Sequence, residues 1–449
     1  MFQKPGGTLK LPPKDTPSGW LQVKDISQMG RSPSDTKLRM FDWAVIGGGF
    51  SGIAAAQRLG ELNPKDSIVL IDAHPIGWGA SGRNSGFIID LPHKFDLESN
   101  DKSWLHAVMT LNAQALSNLK STVQAHNIDC EWSQAGKLQA AITSRGESKM
   151  QIFISALDRL NQPYTLLNRH ELTRVIGTTY YSAAVHTPGC VLMNPVKLVR
   201  GLAASLPKNV TIFDNAPVIR FVKNGVGRRI TLRIQGCTKD ISVGRTLLCT
   251  NAFTPQFGFL KNRIVPIMTF ASMTHPLSDS EMAAYGGQLD WGLTPADSGG
   301  TTLRMTQDKR ILIRNQHDYA KHYGKQDHEL DQIRAKHREA FLLRYPQLKD
   351  VSFESSWGGV LGLSRNHVSY FGKVSADVWN TSCHNGVGVA RGSISGRLLA
   401  EAACEHESNL LDMMRKISQR PSLNPPDPFL GIGVKMRLKY ESWKSRKEI

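Results

Sequence analysis

Three glycines and one aspartate carry the first chemical signal in this chain. The run Val45-Ile46-Gly47-Gly48-Gly49-Phe50-Ser51-Gly52 is followed by Ile68-Val69-Leu70-Ile71-Asp72. Residue types in this order suit an adenine dinucleotide. Gly47 allows a sharp turn. Gly49 lacks a Cβ, so backbone can approach a diphosphate, and Gly52 lets the next helix pack closely on a sheet. Phe50 and Ser51 open that helix, whose free N–H groups would face the phosphates. Asp72, with Ala73 behind it, would accept hydrogen bonds from both ribose hydroxyls and repel a 2′-phosphate. The bland alternative is a glycine turn that binds nothing, but three glycines weaken a fold that gains nothing from them.

A second run follows: Ile76-Gly77-Trp78-Gly79-Ala80-Ser81-Gly82-Arg83-Asn84-Ser85-Gly86-Phe87. A simple NAD-binding domain has no use for it. Small residues at Gly79, Ala80 and Ser81 leave backbone N–H groups free. With the side chains of Ser81, Arg83, Asn84 and Ser85 they suit a large polar ring and a diphosphate.

Alternating and helical patterns give the elements that must hold these residues. Residues 43–46 and 68–71 are short apolar runs suited to buried parallel strands. Residues 51–62 are an Ala-rich helix that stops near Asn63-Pro64. Trp104, Val108, Leu111, Ala115, Leu119 and Val123 share one face of a helix over 103–126. Strand patterns recur at 137–143, 210–213, 218–223, 229–234 and 245–249, and across 265–314. Helices are expected at 149–160, from Asn194-Pro195 to 206, at 331–344 and at 393–403. The expected fold is mixed α/β. A Rossmann-like nucleotide domain (41–95, 190–264, 350–405) is interleaved with a β-sheet-rich substrate domain (96–189, 265–349). Residues 1–40 form an arm, extended on the surface or partly disordered, and 406–449 a basic C-terminal helix.

Composition bounds the rest. The chain has 449 residues with 40% hydrophobic and 21% charged, ordinary for a globular protein. No apolar run reaches the ~18 residues of a membrane-spanning helix, and no secretory h-region is present at the start. Six scattered cysteines form no CxxC pair. That speaks against a disulfide framework or a metal site, and for the reducing cytoplasm. The net charge is +17. Residues 1–40 hold seven Lys/Arg against three Asp, and 431–449 six against two Glu, so each tail contributes +4. Solvated surface is the ordinary reading of such tails; an acidic protein or a peripheral membrane contact is the sharper one. Nucleic acid is not expected, because aromatic and basic residues do not interleave.

The second glycine run resembles the D-amino-acid oxidase family of FAD-dependent oxidoreductases, most of all its gamma-glutamylputrescine oxidase branch. Leu247-Leu248-Cys249-Thr250-Asn251-Ala252 is similar to the family's strand-end motif beneath the FAD. Trp357-Gly358-Gly359 is similar to its tryptophan–glycine turn. His384-Asn385-Gly386-Val387-Gly388-Val389-Ala390 is similar to its C-terminal glycine turn. The likeness covers roughly residues 41–444. It implies non-covalent FAD, with Val218, Thr250, Asn251, Trp357, Asn385, Gly386, Val387 and Gly388 joining the residues above around it. Departures fall elsewhere. The acid is Asp72 where the family usually has Glu, Leu363-Ser364-Arg365-Asn366-His367 replaces a Thr-x-Asp pattern, and Arg314-Asn315 stands where a glycine pair is common.

The chemistry implied by the resemblance is amine or amino-acid oxidation. A hydride moves from the carbon beside nitrogen to flavin N5, and the imine hydrolyses. The N–H groups of residues 386–393 would stabilise negative charge on the reduced flavin. The acceptor is O2 or another carrier. No catalytic triad is nominated. Substrate would meet Phe270, His275, Arg304, Arg314, His317, Tyr319, Arg365, Asn366 or His367. Arg314 would suit a carboxylate or phosphonate; a salt-bridging arginine is its equal alternative. On the C-terminal helix, Ile432, Met436, Tyr440 and Trp443 form a stripe expected to dock on the protein's own body, with a membrane as the other reading. A flavin-bearing subunit or binding module of a larger complex, or an NAD-dependent dehydrogenase, are the competing functions.

Overall fold

The computed structural model describes residues 9, 16–21, 40–92, 102–297, 299–321, 323, 327–445 and 448. Two eight-stranded sheets organise them. The first runs Tyr370–Ser375, Val378–Ser382, Cys237–Leu248, Met40–Ile46, Ile68–Ile71, Val210–Phe213, with the meander Val218–Asn224 and Gly227–Ile234 attached to Cys237–Leu248. Its central pairs are parallel. Parallel strands need covered faces, and Ile68–Ile71 in this sheet is apolar throughout. Every residue of Ile68–Ile71 is buried.

Helices Phe50–Leu62 and Ala390–Ala403 cover one face, and their apolar residues join Trp43, Val45 and Leu70 in the largest core. The two helices meet backbone to backbone, because a Cβ on Gly396 would overlap the Ser51 carbonyl. The helix Lys102–Ala125 packs into this same core through Val108, Leu111 and Ala115. The boundaries read from sequence put that helix in the other domain.

The second sheet runs Phe353–Leu363, Val265–Thr274, Ile311–Tyr319, Thr302–Met305, Trp291–Pro295, Lys137–Ala141, Ala183–Thr187, Thr165–Asn168. It is antiparallel except where Trp291–Pro295 meets Lys137–Ala141. The strand Phe353–Leu363, which the sequence boundaries gave to the nucleotide domain, pairs with Val265–Thr274 here. Among the described residues no helix is long and apolar enough to cross a membrane.

The described part of the N-terminal arm corrects the expectation of a surface segment. Ser18, Trp20 and Leu21 are buried. Trp20 packs with Trp78 and Trp357, lies against the Arg304 guanidinium, and donates its indole N–H to the Asn84 carbonyl at 2.9 Å. Ser18 Oγ donates to the Gly82 carbonyl. Polar, proline-rich composition hides this, because one tryptophan in a cation-and-aromatic socket is enough to anchor the segment.

The C-terminal helix corrects a second expectation. Phe429–Lys444 docks through Leu430, Val434 and Leu438 onto Val265, Ile267 and Tyr319. The stripe Ile432, Met436, Tyr440 and Trp443 faces outward. The helix is apolar on two faces, and periodicity alone does not say which one the body covers.

Candidate active site

Met40–Ile46 ends in Gly47, whose φ of 106° favours glycine. A Cβ there would lie 2.6 Å from the Cys249 carbonyl oxygen, and one on Gly49 would lie 2.6 Å from Ser81 Oγ. A Cβ on Gly52 would overlap the Gly47 carbonyl oxygen. Gly49 begins the helix Phe50–Leu62 and has no side chain to cap it; the Phe50 N–H donates to Ser81 Oγ at 3.1 Å, so the amides just after it are the ones that can meet a ligand. Asp72 accepts from the Gly48 N–H at 2.6 Å and the His74 N–H at 2.9 Å. Burial holds its carboxyl above the usual range, against the pull of those two amides. A carboxylate desolvated this way is stabilised by further hydroxyl donors.

This turn opens onto a cavity of about 550 Å³ that runs between the two sheets, within the roughly 300–1,000 Å³ usual for ligand sites. Leu9, Asp72, Ala73 and Val218 line it, as do Gly47, Gly49, Phe50 and Ser51. So do Gly79, Ala80, Ser81, Arg83, Asn84, Ser85, Thr250 and Asn251, and the turn Asn385, Gly386, Val387, Gly388. Gly52 and Trp357 stand behind the lining. Gly52 packs on Gly47, and Trp357 donates to the Arg83 carbonyl at 3.0 Å.

The lining fits FAD on three counts. A Cβ at Gly79, Gly386 or Gly388 would meet no protein atom within 4 Å, so bare backbone faces the space. The helix Ala390–Ala403 begins without a side-chain cap, adding a second positive dipole end. His384 Nδ1 and Asn385 Nδ2 are buried without a hydrogen-bond partner. The polar side chains of the second glycine run serve the loop itself. Arg83 donates to the carbonyls of Trp78, Gly358 and Thr16, and Asn84 bonds Ser81 and Gly86. The loop's backbone is thereby held in place along the cavity.

Of the substrate candidates, Arg314, His317 and His367 line the cavity. A β-bulge brings the first two together: Phe270 faces Gln316 while Ala271 faces Arg314, so Asn315 is the extra residue. Without it, strict alternation would send 314 and 317 to opposite faces. Arg314 donates to Thr302 Oγ1 at 3.3 Å. Burial lowers its pKa, and among the described residues no carboxylate opposes that shift. His367, with φ of 55°, is exposed at the mouth.

The other candidates lie outside the cavity. Phe270 packs with Met268, Ala320 and Leu330; its neighbours Ile267 and Thr269 face the cavity instead. Arg304 is fully buried and donates to the Gly86 and Met193 carbonyls. His275 pairs with Glu281, Tyr319 donates to Asp427, and Arg365 and Asn366 are exposed. Sequence reasoning missed Leu9, Thr269, Thr294, Thr302 and Tyr323, all of which line the cavity. Threonines in strands give no signal of their own.

Two buried histidines, His337 and His384, and the half-buried His317 predict acid sensitivity. Burial pushes His317 and His384 down to about 4 and His337 to about 3, each helped by a neighbouring Arg or His. Each is therefore neutral in the fold while the unfolded chain binds a proton below about 6.5. Stability is full above that pH and falls as pH drops toward 4, by up to about 1.4 kcal/mol per pH unit for each histidine. Urea unfolding is expected to show a lower midpoint at about pH 5 than at about pH 7.5; equal midpoints would contradict neutral burial.

A parallel sheet with a glycine turn and ribose-suited acid, joined over one cavity to an antiparallel sheet, defines a flavin-dependent oxidoreductase. Residues 42–402 match the family described as FAD dependent oxidoreductase (DAO), and the chain belongs to that family. It is 24% identical over 393 residues to the probable oxidoreductase OrdL of Haemophilus influenzae, covering 84% of this chain and 86% of that one. It is 23% identical over 368 residues to gamma-glutamylputrescine oxidoreductase of Escherichia coli, covering 80% and 83%. The fold is similar to glycine oxidase from Geobacillus kaustophilus, with TM-score 0.68 at 15% identity over 83% of this chain and 96% of that one.

Proposed function

We propose that this enzyme oxidises the C–N bond of a small amine that also carries a carboxylate. Arg314 carries the reading. It is a guanidinium in the cavity that the glycine cradle also lines, its pKa lowered by burial. Arg314 is half-buried, and among the described residues no carboxylate pairs with it; a partly desolvated cation in that position is costly, and a ligand carboxylate in bidentate contact relieves the cost. Two relatives support the same class: gamma-glutamylputrescine and glycine, the compounds in their names, are both amines bearing a carboxylate.

In this reading Gly47, Gly49, Phe50, Ser51 and Gly52 form the turn that receives the FAD diphosphate, and Asp72 receives the ribose. Residues 79–85, Thr250, Asn251 and the 385–388 turn hold the remainder without a covalent bond. The amides at the start of Ala390–Ala403 offer a positive field to a developing anion. When bound, FAD supplies hydride acceptance from the carbon beside nitrogen. Among the described lining residues Asp72 is the one carboxylate, and His317 is neutral above about pH 4. A histidine lowered to about 4 is too weak a base to take the proton of an ammonium group, so in this reading the amine enters with its proton already lost to solvent.

The test is anaerobic titration of the purified yellow protein with paired amines that differ only in the carboxylate. The flavin band near ~450 nm is expected to bleach with the carboxylate-bearing member of each pair, faster as pH rises through the amine's own titration. Equal bleaching by the decarboxylated partner, or none by any amine, would overturn the proposal.

A further inference from the structure

Among the described residues, one apolar face of the helix Phe429–Lys444 has no partner. Phe429, Ile432, Met436, Tyr440 and Trp443 are 67%, 54%, 67%, 45% and 59% exposed. At about 100° per residue they fall within a sector of roughly 80°, opposite the docked Leu430, Val434 and Leu438. Cations border that sector on both sides: Lys435 and Lys439 along one edge, Arg437 and Lys444 along the other. Glu441 is the one acid on the helix, and it is paired with Arg437 at 2.5 Å. Tyr440 and Trp443 stack at 6.2 Å, and Lys444 Nζ lies 4.1 Å over the Tyr440 ring.

We propose that this face is a docking surface for an anionic membrane. An apolar strip with aromatic rings and a cation rail on each side matches a headgroup boundary. Rings and methyls sit at the acyl edge while ammonium groups meet lipid phosphates. The docked face holds the helix parallel to the protein surface, so binding needs no folding step. A second copy of this chain fits the face poorly, because two such helices would bring eight like charges together with one acid each. The same helix packs on Ile267, which also lines the cavity, so the membrane would lie beside the substrate-facing sheet.

The experiment is co-sedimentation of the full-length FAD-loaded protein with vesicles of phosphatidylcholine alone or with phosphatidylglycerol added. Binding is expected to the anionic vesicles, to weaken with salt, and to be near background on neutral ones. Met436→Asp with Trp443→Asp should lower partitioning at least ~100-fold, and Lys435→Glu with Lys439→Glu at least ~25-fold. All four sites are outside the cavity, so the flavin spectrum and turnover should persist and report intact folding. Protein that stays in the supernatant with anionic vesicles overturns the proposal. So does a solution dimer that Met436→Asp with Trp443→Asp converts to monomer, because the face would then be covered by a second copy.

Discussion

Replacing Arg314 by methionine is expected to lower kcat/KM for a carboxylate-bearing amine by about 10²–10³-fold, within the ~2–5 kcal/mol lost when one partner of a buried charge pair is removed. The reason is local. Arg314 sits on a bulged strand, it donates a hydrogen bond to the neutral Thr302 Oγ1, and burial already lowers its pKa. Methionine keeps the apolar stem and removes the charge. The fold should therefore not suffer, since a desolvated unpaired cation costs stability rather than adding it. Flavin content and thermal midpoint are expected to hold or rise while substrate binding collapses. Arg314→Lys should recover only part of the loss, because an ammonium lacks the planar fork. Steady-state kinetics on a matched amine pair decides it. The variant should treat the carboxylate-bearing and decarboxylated amines alike, and an undiminished preference for the carboxylate would sink the assignment.

Gly52→Ala is expected to produce a protein without bound flavin, destabilised by about 1–3 kcal/mol or more. In an ordinary helix the same change would gain about 1 kcal/mol from propensity. Here the added methyl meets the Gly47 carbonyl oxygen, and the helix cannot retreat, since Gly396 already holds its other side against the Ser51 carbonyl. Either the turn opens or the helix tilts, and both move the amides at Gly49 and Phe50. The ratio of flavin absorbance to protein, with a thermal melt, reads both effects. A variant that keeps stoichiometric FAD and gains stability would show that the close approach is not required.

Much of this arrangement is legible along the chain. The strand–turn–helix–strand unit is local: Met40–Ile46, Phe50–Leu62 and Ile68–Ile71 follow from apolar runs, an Ala-rich segment and glycines at fixed spacing. The cap at Asn194, which accepts from the amides of Val196 and Lys197, is also local. The face of each strand in the second sheet is not. Val265–Thr274 is apolar on both sides because each side is covered, so alternation does not say whether Phe270 or Thr269 meets the cavity. Arg304 and Arg314 look alike in sequence, ten residues apart on neighbouring strands. One is spent on the Gly86 and Met193 carbonyls, and the other borders the cavity because Asn315 bulges.

The sequence by itself determined an adenine-dinucleotide turn and the nucleotide fold, and its resemblance to a flavin family at residues 77–86 and 384–390 implied FAD. The turn rests on a positive φ at Gly47, on close approaches at Gly49 and Gly52 and on an acid one strand away, all within a short stretch of chain. Tertiary structure alone decided which arginine borders the cavity, that Trp20 closes onto Arg304, and that the C-terminal helix turns Trp443 to the outside. Each of these depends on what lies across space from the residue. A side chain's identity says what it could bind, and packing decides whether a carbonyl, a neighbouring ring or the open cavity stands opposite it.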